Sequence, residues 1–223
     1  MDKRLCEYLL IFFLLWVTYK SVRVLYSGLI TVNIKEEIIK YEKKNKYTIE
    51  NEKSLITRLE RSIEISKNNV NSRLYLARLY ILLSRKRNES QSLVNAKRLL
   101  EINISVTPTN YINWVYLVKT IDYEKQPDEH KSAIIKAIYL GKYESETQQV
   151  LIPTIFKVWG IMNENEKKET KKMLTHALNN YAYADILIKN AKKYKKLEII
   201  LEIAKNPYHI ARIEKYINHE KNQ

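Results

Sequence analysis

Among 223 residues there are only 3 Gly, 4 Pro and 1 Cys. One cysteine excludes an internal disulfide framework. So few Gly and Pro disfavour a turn-rich β fold and favour long helices joined by short turns. With the glycines at 28, 141 and 160, no Gly-rich phosphate loop can form, and no serine sits in a nucleophile elbow. The four histidines, His130, His176, His209 and His219, show neither HExxH nor any other close ligand spacing. They read as solvated surface residues, and no catalytic, cofactor or metal site is expected.

What the chain does have is one long apolar run, "YLLIFFLLWVTYKSVRVLY", from Tyr8 to Tyr26. Tyr8 to Tyr19 carries no charge, and as a helix it spans about 18 Å at ~1.5 Å per residue. A bilayer core is roughly 30 Å thick. Leu5 and Cys6 upstream and Val22, Val24 and Leu25 downstream extend the run, and Lys20 and Arg23 can snorkel to headgroups. The anchor residues are Leu9, Leu10, Ile11, Phe12, Phe13, Leu14, Leu15, Trp16 and Val17. The strongly apolar ones favour insertion by a sum on the order of −4 kcal/mol. Trp16, Tyr19 and Tyr26 suit the interface. No small-residue cleavage site follows the run, and the run is apolar all round rather than striped. We read an uncleaved anchor, over residues 1–30, in preference to a cleaved signal or a buried core helix. Lys3 and Arg4 on one side and Lys20, Arg23, Lys35 and Lys40 on the other point to opposite orientations, which leaves orientation open.

Residues 31–50 read as a polar connecting helix. Residues 51–223 read as a succession of amphipathic helices, long enough to bury a core. Leu55, Leu59 and Ile63, with Ile56, share a helical face. Asn71-Ser72 is the expected cap of the next helix, "RKRNES" a loop, and Thr107-Pro108-Thr109-Asn110 a break. Asp128 should cap the helix that ends at Gly141, with Gly141 serving a C-terminal turn. Pro153 should lie in the first turns of "SETQQVLIPTIFKVWGIM" or kink it. Helices of about 12–16 residues recurring as pairs every ~35–40 residues are the pattern of stacked helical hairpins. The expected fold is therefore all-α: an N-terminal transmembrane helix followed by a tetratricopeptide-like array of antiparallel helix pairs, in preference to an irregular bundle. Such an array offers a groove to extended partners. Trp114, Leu117, Lys119 and Trp159 are the candidate groove residues, although the tryptophans fit core packing as well.

The formal charge is +14, which suggests acidic partners. The basic residues are scattered in "KKNK", "RKR", the pairs at 167 and 171, and "KKYKK", and an AT-rich genome would enrich lysine without any function. Glu164, Glu166 and Glu169 beside Lys167, Lys168, Lys171 and Lys172 read as a salt-bridged face. "KKYKK" offers one tyrosine among four lysines, too little stacking surface for a nucleic-acid site. The sequons Asn88-Glu89-Ser90 and Asn103-Ile104-Ser105 match a pattern common by chance.

The stretch "AKRLLEINISVTPTNYINWVYLVKTIDYEKQPDEHKSAIIKAIYLGKYE" carries a family likeness. An Ala–Leu helix, a Pro break, Trp114 followed by Leu117, Val118 and Lys119, the Ala133/Ala137 helix ending in Leu140-Gly141, and later Gln149, Val150 and Trp159 resemble the VpsP-type exopolysaccharide-biosynthesis proteins. The likeness spans roughly residues 5–205. It departs after Gly141, where "KYES" replaces a Pro-Trp-Glu-Pro-like segment, so any role of that tryptophan is missing here. The resemblance implies a bacterial inner-membrane accessory of exopolysaccharide assembly, a periplasmic helical domain, and no catalytic residues. Its expected partners are membrane lipid and other proteins of a polysaccharide assembly complex. The alternative is a basic helical module on the cytoplasmic side that binds nucleic acid or an anionic membrane surface. Nucleic acid is the less favoured of these partners.

Overall fold

A computed structural model describes residues 3–44 and 48–218. His219 and part of "KKNK" lie outside the described residues, as do the side chains of Lys3, Arg4 and Cys6. The described residues form twelve α-helices and one 3-10 turn, with no strand among them. The chain divides into two compact units, residues 1–103 and 104–223.

The first unit is built on α1 (Lys3–Lys44), α2 (Ile49–Ile65), α3 (Val70–Arg87) and most of α4 (Ser90–Val106). α1 runs unbroken from the apolar segment through the stretch expected to be a polar connection. That stretch is amphipathic. Ile34, Ile38 and Tyr41 recur at helical spacing and are buried against Leu55 and Leu59 of α2 and Leu76, Leu79 and Leu83 of α3. Each such aliphatic side chain contributes about 1.5–3 kcal/mol on burial. Ile56 and Ile63 flank this core, as the α2 periodicity predicts.

Local signals set the helix ends. The Thr48 side chain accepts from Asn51 N at 3.3 Å, and Glu50 and Glu52 favour the dipole of the first turn of α2. The cap of α3 is Asn69, whose Oδ1 accepts from Ser72 N at 3.0 Å. It lies two residues before the expected cap, which frees Ser72 for the interior. α3 then continues through the "RKR" expected in a loop, because basic residues suit a helix C-terminus. It stops where Asn88 adopts a left-handed φ of 54°.

The second unit comprises α5 (Tyr111–Val118), α6 (Pro127–Gly141), α7 (Ser145–Leu151), α8 (Ile155–Val158) with a 3-10 turn (Trp159–Ile161), α9 (Glu164–Asn179), α10 (Tyr181–Lys193), α11 (Leu197–Ile203) and α12 (Pro207–Asn218). Within it α5 packs on α6 and α7, α6 on α9, and α10 on α9, α11 and α12. Helix lengths are uneven. α6, α9, α10 and α12 have 12–16 residues, whereas α5, α7, α8 and α11 have 4–8.

Two differences from expectation have clear causes. Pro127, not Asp128, begins α6, occupying the first position where a missing N–H costs nothing. The helix expected around Pro153 splits into α7 and α8, since proline breaks the ladder. Gly141 has no left-handed φ. A Cβ there would lie 2.6 Å from Cγ of Tyr111, so its role is to let that ring approach. On α9, the Asn163–Glu166 capping box opens the helix, and its carboxylates reach beyond their own helix. Glu166 pairs with Lys131 at 3.8 Å and Glu169 with Lys142 at 2.5 Å, alongside the in-helix Glu164–Lys167 and Glu169–Lys172 pairs.

Candidate functional site

α1 changes character along its length. The side chains from Tyr8 to Val22 are all exposed, Phe12 by 71% and Leu15 by 65%. From Ser27 onward one face is buried. By length and composition, α1 is the one helix among the described residues able to cross a membrane. The nine residues Leu9 to Val17 lie together on its exposed part.

At the change-over, short polar side chains from three elements meet. Ser27 Oγ donates to Ser62 O at 2.9 Å, and Ser62 Oγ donates back to Ser27 O at 3.0 Å. Thr31 Oγ1 donates to Ser27 O at 2.8 Å. The Ser72 hydroxyl lies 2.6 Å from Thr31 Oγ1 and 2.7 Å from Ser62 Oγ. The Asn69 amide closes the group, 2.6 Å from Ser27 Oγ and 3.1 Å from Thr31 Oγ1. Every hydroxyl proton here has an acceptor, so burial leaves no donor unpaired. Small side chains let the helices approach, and the reciprocal Ser27–Ser62 bonds fix their register.

Just beyond, toward the apolar segment, the α2–α3 loop folds against α1. Arg23 Nη2 donates to Glu64 O at 3.3 Å. A cavity of about 390 Å³ opens there, lined by Lys20, Arg23, Glu64, Ser66, Lys67 and Asn68 among others. The loop is pinned from behind by buried Arg73, which donates to Lys67 O and, through Nε, to Asn103 Oδ1 at 2.7 Å. Asn103 in turn donates to Val70 O at 2.8 Å, so this sequon asparagine is a buried structural residue. Burial holds the Arg73 guanidinium below its ordinary pKa. Lys20 lies over Trp16 and Arg23 over Tyr19, at 5.7 and 5.6 Å from the ring centroids.

Elsewhere in this unit Glu52 is only 1% exposed. It accepts from Tyr41, Arg87 and Lys86, the last at 2.8 Å. Burial alone would raise its pKa. The Lys86 and Tyr41 hydrogen bonds, with the charges of Lys86 and Arg87, outweigh burial and hold the carboxyl below the usual range. Lys86 and Arg87 of "RKR" thus serve a buried carboxylate.

The four candidate groove residues do not share an open surface. Leu117 (6% exposed) and Trp159 (8%) are core residues. Trp114 is half-buried and donates from Nε1 to Pro108 O at 2.8 Å, holding the break before α5. Lys119 lies over the Tyr116 ring at 4.9 Å. Of the histidines, His130 departs from the solvated reading. His130 is 5% exposed, with Nδ1 3.1 Å from Ile121 O and Nε2 3.0 Å from Thr154 Oγ1. His176 is exposed but 2.6 Å from Gln148 Nε2, and His209 lies 2.9 Å from Asn179 Oδ1. Among the described residues, no group of three His, Cys, Asp or Glu could hold a metal ion.

No family model, no curated protein and no solved structure matches the chain. The functional reading therefore rests on its own residues and on the resemblance described above.

Proposed function

We propose that the chain is a single-pass membrane protein of the bacterial inner membrane, without enzymatic activity. It holds helical protein-binding surfaces against the bilayer as a scaffold in an exopolysaccharide or envelope-glycan assembly system. One observation carries the anchor: α1 is exposed and uncharged on every side from Tyr8 to Tyr19, then becomes a core helix of the first unit without a break. A cleaved leader has no reason to continue into a domain core, and a buried core helix would not expose Phe12 and Leu15. The serial packing of helices in the second unit supports a tetratricopeptide-like use of its surface. The glycan context and the periplasmic location come from the VpsP-type resemblance.

Deletion of the gene should lower the amount or chain length of surface polysaccharide. The full chain should restore it, and a chain lacking residues 1–26 should not. Unchanged polysaccharide would remove the glycan reading. Paired reporters fused after Gln223 address the anchor and its orientation separately. A fusion that fractionates as soluble protein would remove the anchor.

A further inference from the structure

The cavity beside Lys20, Arg23 and Lys67 has a place as well as a charge. From Arg4 to Arg23, α1 rises about 28 Å, close to the ~30 Å of a bilayer core. With the basic N-terminal residues at one face of the membrane, Lys20 and Arg23 stand at the other. The loop carrying Lys67 is held at that same level by the Arg23–Glu64 O bond. The cavity is therefore bordered on one side by apolar Val24 of α1 and on the other by the polar loop Ser66–Asn68.

Three basic residues, Lys20, Arg23 and Lys67, and one acid, Glu64, line this cavity. Among the described residues, no carboxylate lies within ion-pair distance of Lys20, Arg23 or Lys67; Lys20 and Arg23 lie against rings, and Arg23 spends one N–H on Glu64 O. Lys86 and Arg87, by contrast, are taken up by Glu52, and Lys142 by Glu169. An unneutralised trio beside an apolar wall, with serine and asparagine at its rim, matches a phosphate attached to acyl chains.

We propose that this cavity binds the phosphate of an anionic lipid headgroup, an inference that rests on α1 spanning the bilayer. Cations within reach of a membrane surface each add to anionic-lipid binding. The site would select among the lipids around the anchor and hold the α2–α3 loop against the surface.

The full chain in neutral detergent, titrated separately with phosphatidylglycerol, phosphatidylcholine and inorganic phosphate, tests this by native mass spectrometry. Phosphatidylglycerol should be retained in preference to phosphatidylcholine. Lys67→Ala should weaken its retention about fivefold, Lys67→Arg should restore it, and Glu64→Gln should strengthen it. Lys67 is exposed and its fold contact is through its carbonyl, so its side chain can be changed without loss of packing. Equal retention of the two lipids, or indifference to both Lys67→Ala and Glu64→Gln, would overturn the site. Inorganic phosphate binding as tightly as the lipid would overturn the lipid assignment in favour of a soluble phosphate. Flotation of the chain with pure phosphatidylcholine vesicles separates the two readings. A chain that floats but shows no lipid preference keeps its anchor and loses the site, and one that does not float loses both.

Discussion

In the first unit, α1 meets α2 and α3 through hydroxyls: Ser27 and Ser62 exchange bonds to each other's carbonyls, and Thr31, Ser72 and Asn69 complete the contact. In the second unit, α6 meets the start of α5 through an absence, the missing Cβ of Gly141 under the Tyr111 ring. Both devices bring helices close, but they carry different information. A hydrogen bond has direction and length, so the hydroxyl contact admits one register. A glycine removes bulk and leaves register to the surrounding apolar side chains. The second unit has directed bonds too, as between Gln148 and His176, at other helix contacts.

Gly141 is the position where a substitution should cost most. Gly141→Ala would place a methyl against Cγ and Cβ of Tyr111, atoms that cannot swing away. Destabilisation of about 3 kcal/mol is expected. It should appear in hydrogen exchange of the full chain as faster exchange in α5 and α6. Ser62→Ala comes next. It creates no clash, but strips a donor from Ser27 O and a partner from Ser72 inside a buried cluster. About 1–2 kcal/mol should be lost, with exchange rising at the α1–α2 contact. A loss no larger than that of an exposed serine would mean the register is set by Ile34, Ile38 and Leu59 instead.

The smallest effect depends on pH. Burial holds the His130 imidazole below its ordinary pKa, against the pull of the Ile121 carbonyl, so the folded chain keeps it neutral. As pH falls through about 6.5, the unfolded state takes up a proton that the folded state refuses. Stability from this group is thus complete above that pH and declines below it. His130→Gln should flatten the decline between neutral and mildly acidic pH, as read by denaturant unfolding. An unchanged acid slope would place the sensitivity elsewhere.

Much of the fold is legible in the sequence because local chemistry decides it. The apolar run, the Leu55/Leu59 stripe and the break at Pro108 each need only neighbouring residues. The polar cluster was less readable, since Ser27, Thr31, Ser62, Asn69 and Ser72 come from segments up to 45 positions apart and look individually like surface residues. One signal was present: Ser62 lies seven residues after Leu55, on the same buried face. His130 left no such signal, because its partners, Ile121 and Thr154, contribute a backbone carbonyl and a common hydroxyl. Trp114 and Trp159 stand out by size, but size argues equally for a core. The cavity at Lys20, Arg23 and Lys67 depends on the α2–α3 loop folding back to α1, which no spacing encodes.

The unbroken course of α1 has a mechanical consequence. If α1 spans the bilayer as proposed, it passes from lipid into a domain core with no swivel and behaves as a lever whose fulcrum is the membrane surface. Spanning helices tilt by about 20° on average, and more where the bilayer is thin. Over the roughly 27 Å from Tyr26 to Lys44, such a tilt would carry the far end sideways by about 9 Å. The reciprocal Ser27–Ser62 bonds make the rest of the unit swing with it. Bilayer thickness would then set the angle at which the first unit leaves the membrane.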